Sequence, residues 1–421
     1  MASLTAGIEA ATPAGRDRGV DALRALAILG VVLGHWLVTA WAPGPAGAVY
    51  LASPLSHLPA LTPLSWVFQT LAVFFFVGGY AAARGLRSAA APTASGAPAG
   101  AWVRARMGRL LGPVVPLVLV WTGIATGMAL RGAPVGLIRS MALPAVGPLW
   151  FLAVFAALTA ATPLLLRPHP ALTATAAFAV VLGVDLARFW LGGPAWLGWA
   201  NLVAGWLVPY TLGIAWASGL LGSRRVAVGL LAGGAAGAVL LVAGFGYPAS
   251  MVGVTGAAVS NLAPPTLAAV CFGLAQVGVA LLARAPLARL MRRPRLWATV
   301  ALANLSAMTL FLWHQSAPAV IAVAALRLGD VPGLLAVPDE PVWLLHRLAW
   351  FPVFVAVLTL AWLPGVIRRR LGDRGVSCAV GSDTMSSESA RRTASRRAAR
   401  PFVSRPQRAG MRSRTPPAKT S

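Results

Sequence analysis

The chain has 421 residues, 58% of them hydrophobic and 11% charged, with a formal net charge of +25. Such a balance excludes the soluble globular classes, and apolar runs that are continuous rather than alternating exclude a transmembrane barrel. The basic residues sit in short connections between apolar runs and in the C-terminal stretch, which points to cytoplasmic loops and an anionic lipid surface, not to nucleic acid.

Nearly all of these cations are Arg, the one Lys being Lys419. With so much Ala, Gly and Pro this is a compositional bias that carries no function. The cysteines, Cys271 and Cys378, make neither a disulfide framework nor a zinc pattern. The N-terminus lacks a short apolar core near residue ten, so the first run is expected to be an uncleaved span rather than a signal peptide.

That first run begins at Ala22 yet holds Arg24 and His35, with Asp21 just before it. Ionisable groups at membrane depth are expensive and are functional candidates by default. Arg24 and His35 are eleven residues apart, about 20° past three full turns, so a helix puts them on one face with roughly 16 Å between them. With Arg24 at one edge of a hydrocarbon layer about 30 Å thick, His35 falls near the midplane.

Ten spans are predicted, at 22–41, 62–83, 110–130, 149–166, 171–190, 200–218, 226–245, 262–283, 298–326 and 342–364. The fifth holds Asp185 and Arg188. The sixth is expected to break at Pro209, and the ninth to tilt or kink at Pro318. Gly30 with Gly34, Gly229 with Gly233 and Gly233 with Gly237 have the spacing that allows close helix contact. The fold class is therefore all-α and polytopic.

Charge sorts the connections into two sets. Residues 42–61 and 246–261 have no Arg, and 131–148 has Arg131 and Arg139. By contrast, 84–109 holds five Arg, 219–225 holds Arg224 and Arg225, and 284–297 holds another five. The positive-inside rule then puts both termini in the cytoplasm, with Asp330, Asp339 and Glu340 outside. Residues 1–19 are expected to form a cytoplasmic segment, 20–365 the membrane domain, and 366–421 a disordered basic tail on anionic lipid. Residues 88–100 read as a flexible cytoplasmic loop.

Few groups at membrane depth can titrate: His35, His314 and the carboxylates Asp21 and Asp185. His57, His169 and His346 fall in loops or at boundaries. His35 lies about thirteen residues into the first span and His314 about fourteen into the ninth. Both spans run the same way, so the two imidazoles are expected at one depth. A neutral imidazole is a general base near neutral pH. Two His alone do not make a zinc site, and no metal is expected. Asp21 either pairs with Arg24 or offsets charge at the helix start.

At the start of the third span, Arg104-Ala-Arg106-Met-Gly-Arg109 places Arg106 and Arg109 one turn apart. It is either an ordinary positive-inside cluster or a phosphate clamp. Neither a Walker phosphate loop nor a Gly-x-Ser-x-Gly nucleophile elbow is present.

Four stretches resemble a known family. They are Asp21-Ala-Leu-Arg24 with His35, Phe75-Phe-Val-Gly-Gly-Tyr80, Arg106-Met-Gly-Arg-Leu-Leu-Gly-Pro113, and Leu149-Trp-Phe-Leu152 with Leu312-Trp-His-Gln315. In this order, over residues 20 to 365, they resemble the integral-membrane acyltransferase type 3 family, which includes sugar and macrolide O-acetylases. Relatives often carry Ser where this chain has Gly78, which puts a hydroxyl contact there in doubt. No hydrolase-like domain is expected after the last span, so a two-stage transfer would use a separate partner.

The resemblance implies a multi-pass cell-membrane O-acyltransferase. It would move an acyl group, expected to be acetyl, from acyl-coenzyme A to a hydroxyl of a sugar, glycan or glycosylated metabolite. The catalytic set would be His35, Arg24, His314 and Asp21. Arg24, Arg104, Arg106 and Arg109 would hold the donor. Direct transfer and a covalent acyl-His or acyl-Ser relay both stay open. The rival from another class is a transporter or flippase in which the buried His and Asp relay protons. No inverted repeat supports it.

The charge asymmetry makes a testable topology. Reporter fusions at Gly44 and Gly253 should read outside, and fusions at Gly96, Ser223 and Ser386 inside. Reversal of most of them would overturn the orientation.

Overall fold

The computed structural model describes residues 2–44, 48–90 and 98–360, the side chains of 2–4 excepted. They belong to one compact unit, Met1–Trp362; a second, Leu363–Ser421, falls outside the described residues, as do the expected tail and most of the 88–100 loop. Ten helical segments are long and apolar enough to cross a membrane: Arg18–Val38, Pro59–Ala89, Ala99–Leu130, Val135–Ala160, Pro170–Phe189, Ala195–Ala217, Arg224–Gly244, Leu267–Leu290, Ala307–Ala325 and Val342–Leu360. They are the first to tenth spans below.

The first span starts where Asp17 caps it, accepting from the Gly19 and Val20 amides at 3.1 Å each. Asp17 also pairs with Arg284 at 2.6 Å, which ties this start to the end of the eighth span. At its other end the chain turns into a hairpin of β1 (Ala40–Pro43) and β2 (Val49–Ala52), antiparallel, with Trp41 opposite Leu51. Trp41 also bridges to Leu335, so the connection between the ninth and tenth spans folds onto the hairpin. The Arg-free composition of residues 42–61 gave no sign of these strands.

Four expectations need correction. The sixth span is not broken: its helix runs from Trp199 to Ala217 with Pro209 inside it, as membrane helices tolerate when neighbours meet the freed backbone groups. The fourth span begins at Val135, so 131–148 is mostly helix and carries Arg139; its interruption comes at Gly147 and Pro148. The expected ninth span is two units, a separate helix Pro294–Leu305 followed by the span itself. Gly229 and Gly233 face open space, and it is Gly234 that meets the Cys271 carbonyl and the Ala275 amide. Gly30 and Gly34 do make the close approach, against Thr70 and Phe68.

The tightest crossing joins the second and sixth spans. A Cβ on Gly79 would strike the Tyr210 carbonyl, and one on Gly213 the Phe76 carbonyl, so each glycine admits the other helix's backbone. Phe75 stacks on Trp206 and Phe76 on Trp216 along the same seam. Gly213→Ala should therefore lower the thermal midpoint in detergent, at an overpacking cost of about 1–3 kcal/mol. Gly229→Ala, facing open space, is the control. Equal stability of the two variants would refute the crossing.

Candidate active site

The ninth span is interrupted at His314 and Gln315, between helices Ala307–Trp313 and Ser316–Ala325. Pro318 explains the break. It has no N–H to give the carbonyl four residues back, which is that of His314. The Trp36 indole donates to that carbonyl instead, at 2.7 Å. The interruption thus docks the ninth span against the first.

His35 and His314 meet there, edge to face, with ring centroids 5.0 Å apart. The expectation of one common depth holds, although His314 lies nearer the start of its span than its sequence boundaries implied. His314 is fully buried and its Nδ1 stands 2.7 Å from the Phe311 carbonyl. A carbonyl only accepts, so Nδ1 carries the proton and the neutral ring keeps its lone pair on Nε2. That Nε2 is buried and has no partner among the described residues. Gln315 Nε2 reaches His35 Nδ1 at 3.0 Å and Thr39 Oγ1 at 2.9 Å.

A cavity of about 640 Å³ opens on His35 and Gln315. His35, Gln315, Thr39, Gln69, Phe151 and Phe311 are among its lining, with further walls from the hairpin and residues 252–255; His314 is not, so it stands behind His35. The cavity lies at the hairpin end of the bundle.

Arg347, in the tenth span, went unnoticed in the sequence because it looked like one more cation at a helix boundary. It is fully buried. Its Nε donates to the Trp36 carbonyl at 2.6 Å, Nη2 to Thr39 at 2.6 Å and Nη1 to Gly333 at 3.0 Å, and the guanidinium lies 4.8 Å from the Phe354 ring centroid. It collects the last carbonyls of the first span, which a membrane helix cannot leave bare.

The other end of the first span holds the arginines. Arg24 and Arg106 are close enough to repel one another, with Arg109 and the phenol of Tyr210 also near Arg106. Arg106 is half-buried, while Arg104 and Arg109 are exposed. Asp21 does not pair with Arg24: Arg16 holds its carboxylate at 2.7 and 3.1 Å. The ion pairs formed among the described residues are Arg16–Asp21, Arg18–Glu9 and Arg284–Asp17, so Arg24, Arg104, Arg106 and Arg109 have no carboxylate partner there. Arg106 Nε is buried and unpartnered among the described residues.

Aromatic rings connect the two ends. Phe311 lies 6.1 Å from His314, Phe151 5.1 Å from Phe311, Phe155 6.3 Å from Phe151 and Tyr210 6.3 Å from Phe155, centroid to centroid. Tyr210, whose hydroxyl meets Thr162 Oγ1 at 2.8 Å, ends the row beside Arg106. Phe155 also fills the space beside Gly78, where a Cβ would strike its ring, so a side chain at this position has no room with Phe155 as placed.

The family model described as an acyltransferase domain, of the membrane acyltransferase type 3 family, matches residues 17–366. The chain belongs to that family. It is a membrane acyltransferase. No curated protein and no solved structure gave a significant match.

Asp185, the other buried acid, serves a different purpose. It accepts from Asn201 at 2.9 Å, from Tyr247 at 3.1 Å and from the Leu267 amide at 2.7 Å. None of these residues lines the cavity. Burial, and then the Asp185 charge, pushes the Tyr247 phenol up, so it stays a hydrogen-bond donor. The cluster joins the fifth, sixth and eighth spans. Among the described residues no group of three His, Cys, Asp or Glu gathers as a metal would need.

Arg347 carries the prediction here. Arg347→Met should destabilise the protein by about 2–4 kcal/mol, because three buried carbonyls lose their donor and each such loss costs about 1–3 kcal/mol, partly offset by relief of the buried charge. Arg347→Lys should recover only part, since an ammonium cannot reproduce the planar fork. Thermal unfolding of the purified variants measures both.

Proposed function

We propose that the protein transfers an acyl group, in the simplest case acetyl, from acyl-coenzyme A to a hydroxyl of a sugar, glycan or glycosylated metabolite. The observation that carries this reading is His35, lining the cavity with His314 behind it, on the same helix as Arg24, which with Arg106 and Arg109 of the third span forms no ion pair with a carboxylate among the described residues. Arg24 and Arg106, with Arg109 at the rim, would hold the phosphates of coenzyme A. Arg104, exposed in the same helix, adds charge to their approach. In this reading the arginine end faces the cytoplasm, where coenzyme A is found, and the acceptor enters from the hairpin end.

Arg24 and His35 are separated by roughly 16 Å along one helix. A pantetheine arm laid along the aromatic row would bring the thioester to His35. The acceptor oxygen attacks the thioester carbonyl carbon. An oxygen–carbon bond forms, the carbon–sulfur bond breaks, His35 takes the hydroxyl proton and then returns it to the sulfur of coenzyme A. No metal or redox partner enters this balance. His314 supports the His35 ring from behind, and Asp21 acts at a distance, as a charge near Arg24 whose carboxylate Arg16 holds.

Acyl transfer by purified, well-folded variants tests the assignment. His35→Gln keeps a polar side chain but not its basicity, and should lose about 10²–10⁴ in rate. Arg106→Ala should raise the KM for acyl-coenzyme A while insertion stays intact, and Arg24→Lys should impair activity more than retention of charge alone predicts. Near-normal turnover in His35→Gln would remove His35 from the chemistry. Unchanged donor affinity in Arg106→Ala would return the arginines to a purely topological role.

A further inference from the structure

We propose that Gln315 is a positioning residue that decides which nitrogen of His35 is basic; this rests on the acyl-transfer reading. The Gln315 side chain is 2% exposed and lines the cavity. Its Nε2 stands between His35 Nδ1 at 3.0 Å and Thr39 Oγ1 at 2.9 Å. Its Oε1 is buried and without a partner among the described residues.

An amide nitrogen only donates. With Nε2 toward the ring, His35 Nδ1 must accept, and a neutral His35 then carries its proton on Nε2. In that state the ring offers an N–H, and its lone pair is occupied by Gln315. A half-turn of the amide puts Oε1 where Nε2 was. The oxygen then accepts from both His35 Nδ1–H and the Thr39 hydroxyl, and His35 Nε2 becomes the lone pair. The orphaned Oε1 makes this exchange cheap in one respect: no existing bond of that oxygen is lost.

The amide orientation therefore covers or frees the basic lone pair: with Nε2 toward the ring the lone pair is occupied, and with Oε1 toward the ring His35 Nε2 is free to take a proton. His314 does not share this freedom, because the Phe311 carbonyl fixes its proton on Nδ1.

The test reads the proton directly. Full-length protein is labelled with ¹⁵N-histidine and reconstituted in lipid, and the His35 signals are assigned by their loss in His35→Ala. The substrate-free native protein should show the proton on Nε2. Gln315→Glu presents only acceptor atoms when ionised, so it should show the proton on Nδ1. It should keep turnover within about tenfold, whereas Gln315→Leu, similar in volume and without hydrogen bonds, should lose about 10²-fold in kcat with little change in donor KM, within the range of a general base. The same His35 tautomer in native and Gln315→Glu protein, or undiminished turnover in Gln315→Leu, would overturn the proposal. The spectrum needs no turnover, so its outcome is separate from that of the acyl-transfer reading, which fails instead if His35→Ala remains active.

Discussion

One missing amide hydrogen organises the centre of this protein. Pro318 leaves the His314 carbonyl without a helical partner, and in hydrocarbon an unpaired backbone group costs several kcal/mol. Trp36 meets that need from the first span at 2.7 Å. The same turn of the first span gives its own Trp36 and Thr39 carbonyls to Arg347, which also holds Gly333 of the connection that folds on the hairpin. Three segments are thereby fixed around one turn of helix, which brings His35, next to Trp36 in the chain, within ring contact of His314. The histidine pair is a consequence of backbone satisfaction.

Two polar clusters at membrane depth show how finished and unfinished sites differ. Asp185 accepts three hydrogen bonds from three separate segments, and its partners are buried with it. Its hydrogen bonds are met inside the protein, and it behaves as a joint between helices. Arg24 and Arg106 are the reverse case. They repel each other, and neither forms an ion pair with a carboxylate among the described residues, Asp21 reaching Arg24 only at longer range. Bringing like charges together in a folded protein is unfavourable unless something anionic joins them. The balanced cluster is a joint between helices; the unbalanced one is where the proposed acyl donor would place its phosphates.

Much of this was legible in the sequence because it depends on length and period. Ten spans follow from runs of apolar residues, and His35 and His314 are expected at one depth, which their ring contact bears out although the ninth span starts later than its apolar run implied. What was not legible depends on partners distant in the chain. Asp21 and Arg24 have ideal spacing for a pair, yet Arg16, five residues before Asp21, takes the carboxylate. Pro209 reads as a break and is not one, whereas the ninth span does break, at His314 and Gln315, upstream of the proline that causes it. Arg347 looks like a boundary cation because nothing local tells that its acceptors are Trp36 and Thr39. The hairpin, four residues a side, is too short to stand out from a loop rich in Pro and Gly.

The two histidines are unequal despite their contact. His314 is locked: its proton is committed to Phe311, its other nitrogen is sealed from any partner, and its ring does not reach the cavity. His35 lines the cavity and, among the described residues, its ring meets no backbone acceptor; the side chain that hydrogen-bonds it there is Gln315, which can present either a donor or an acceptor. A group that must take up a proton and release it within one turnover needs a partner able to serve both ring states. A carbonyl cannot do that and an amide side chain can. In the proposed reaction His314 would be the fixed support and His35 the adjustable base, and the Gln315 that follows His314 in the chain is the partner that could serve both states of the neighbouring span's histidine.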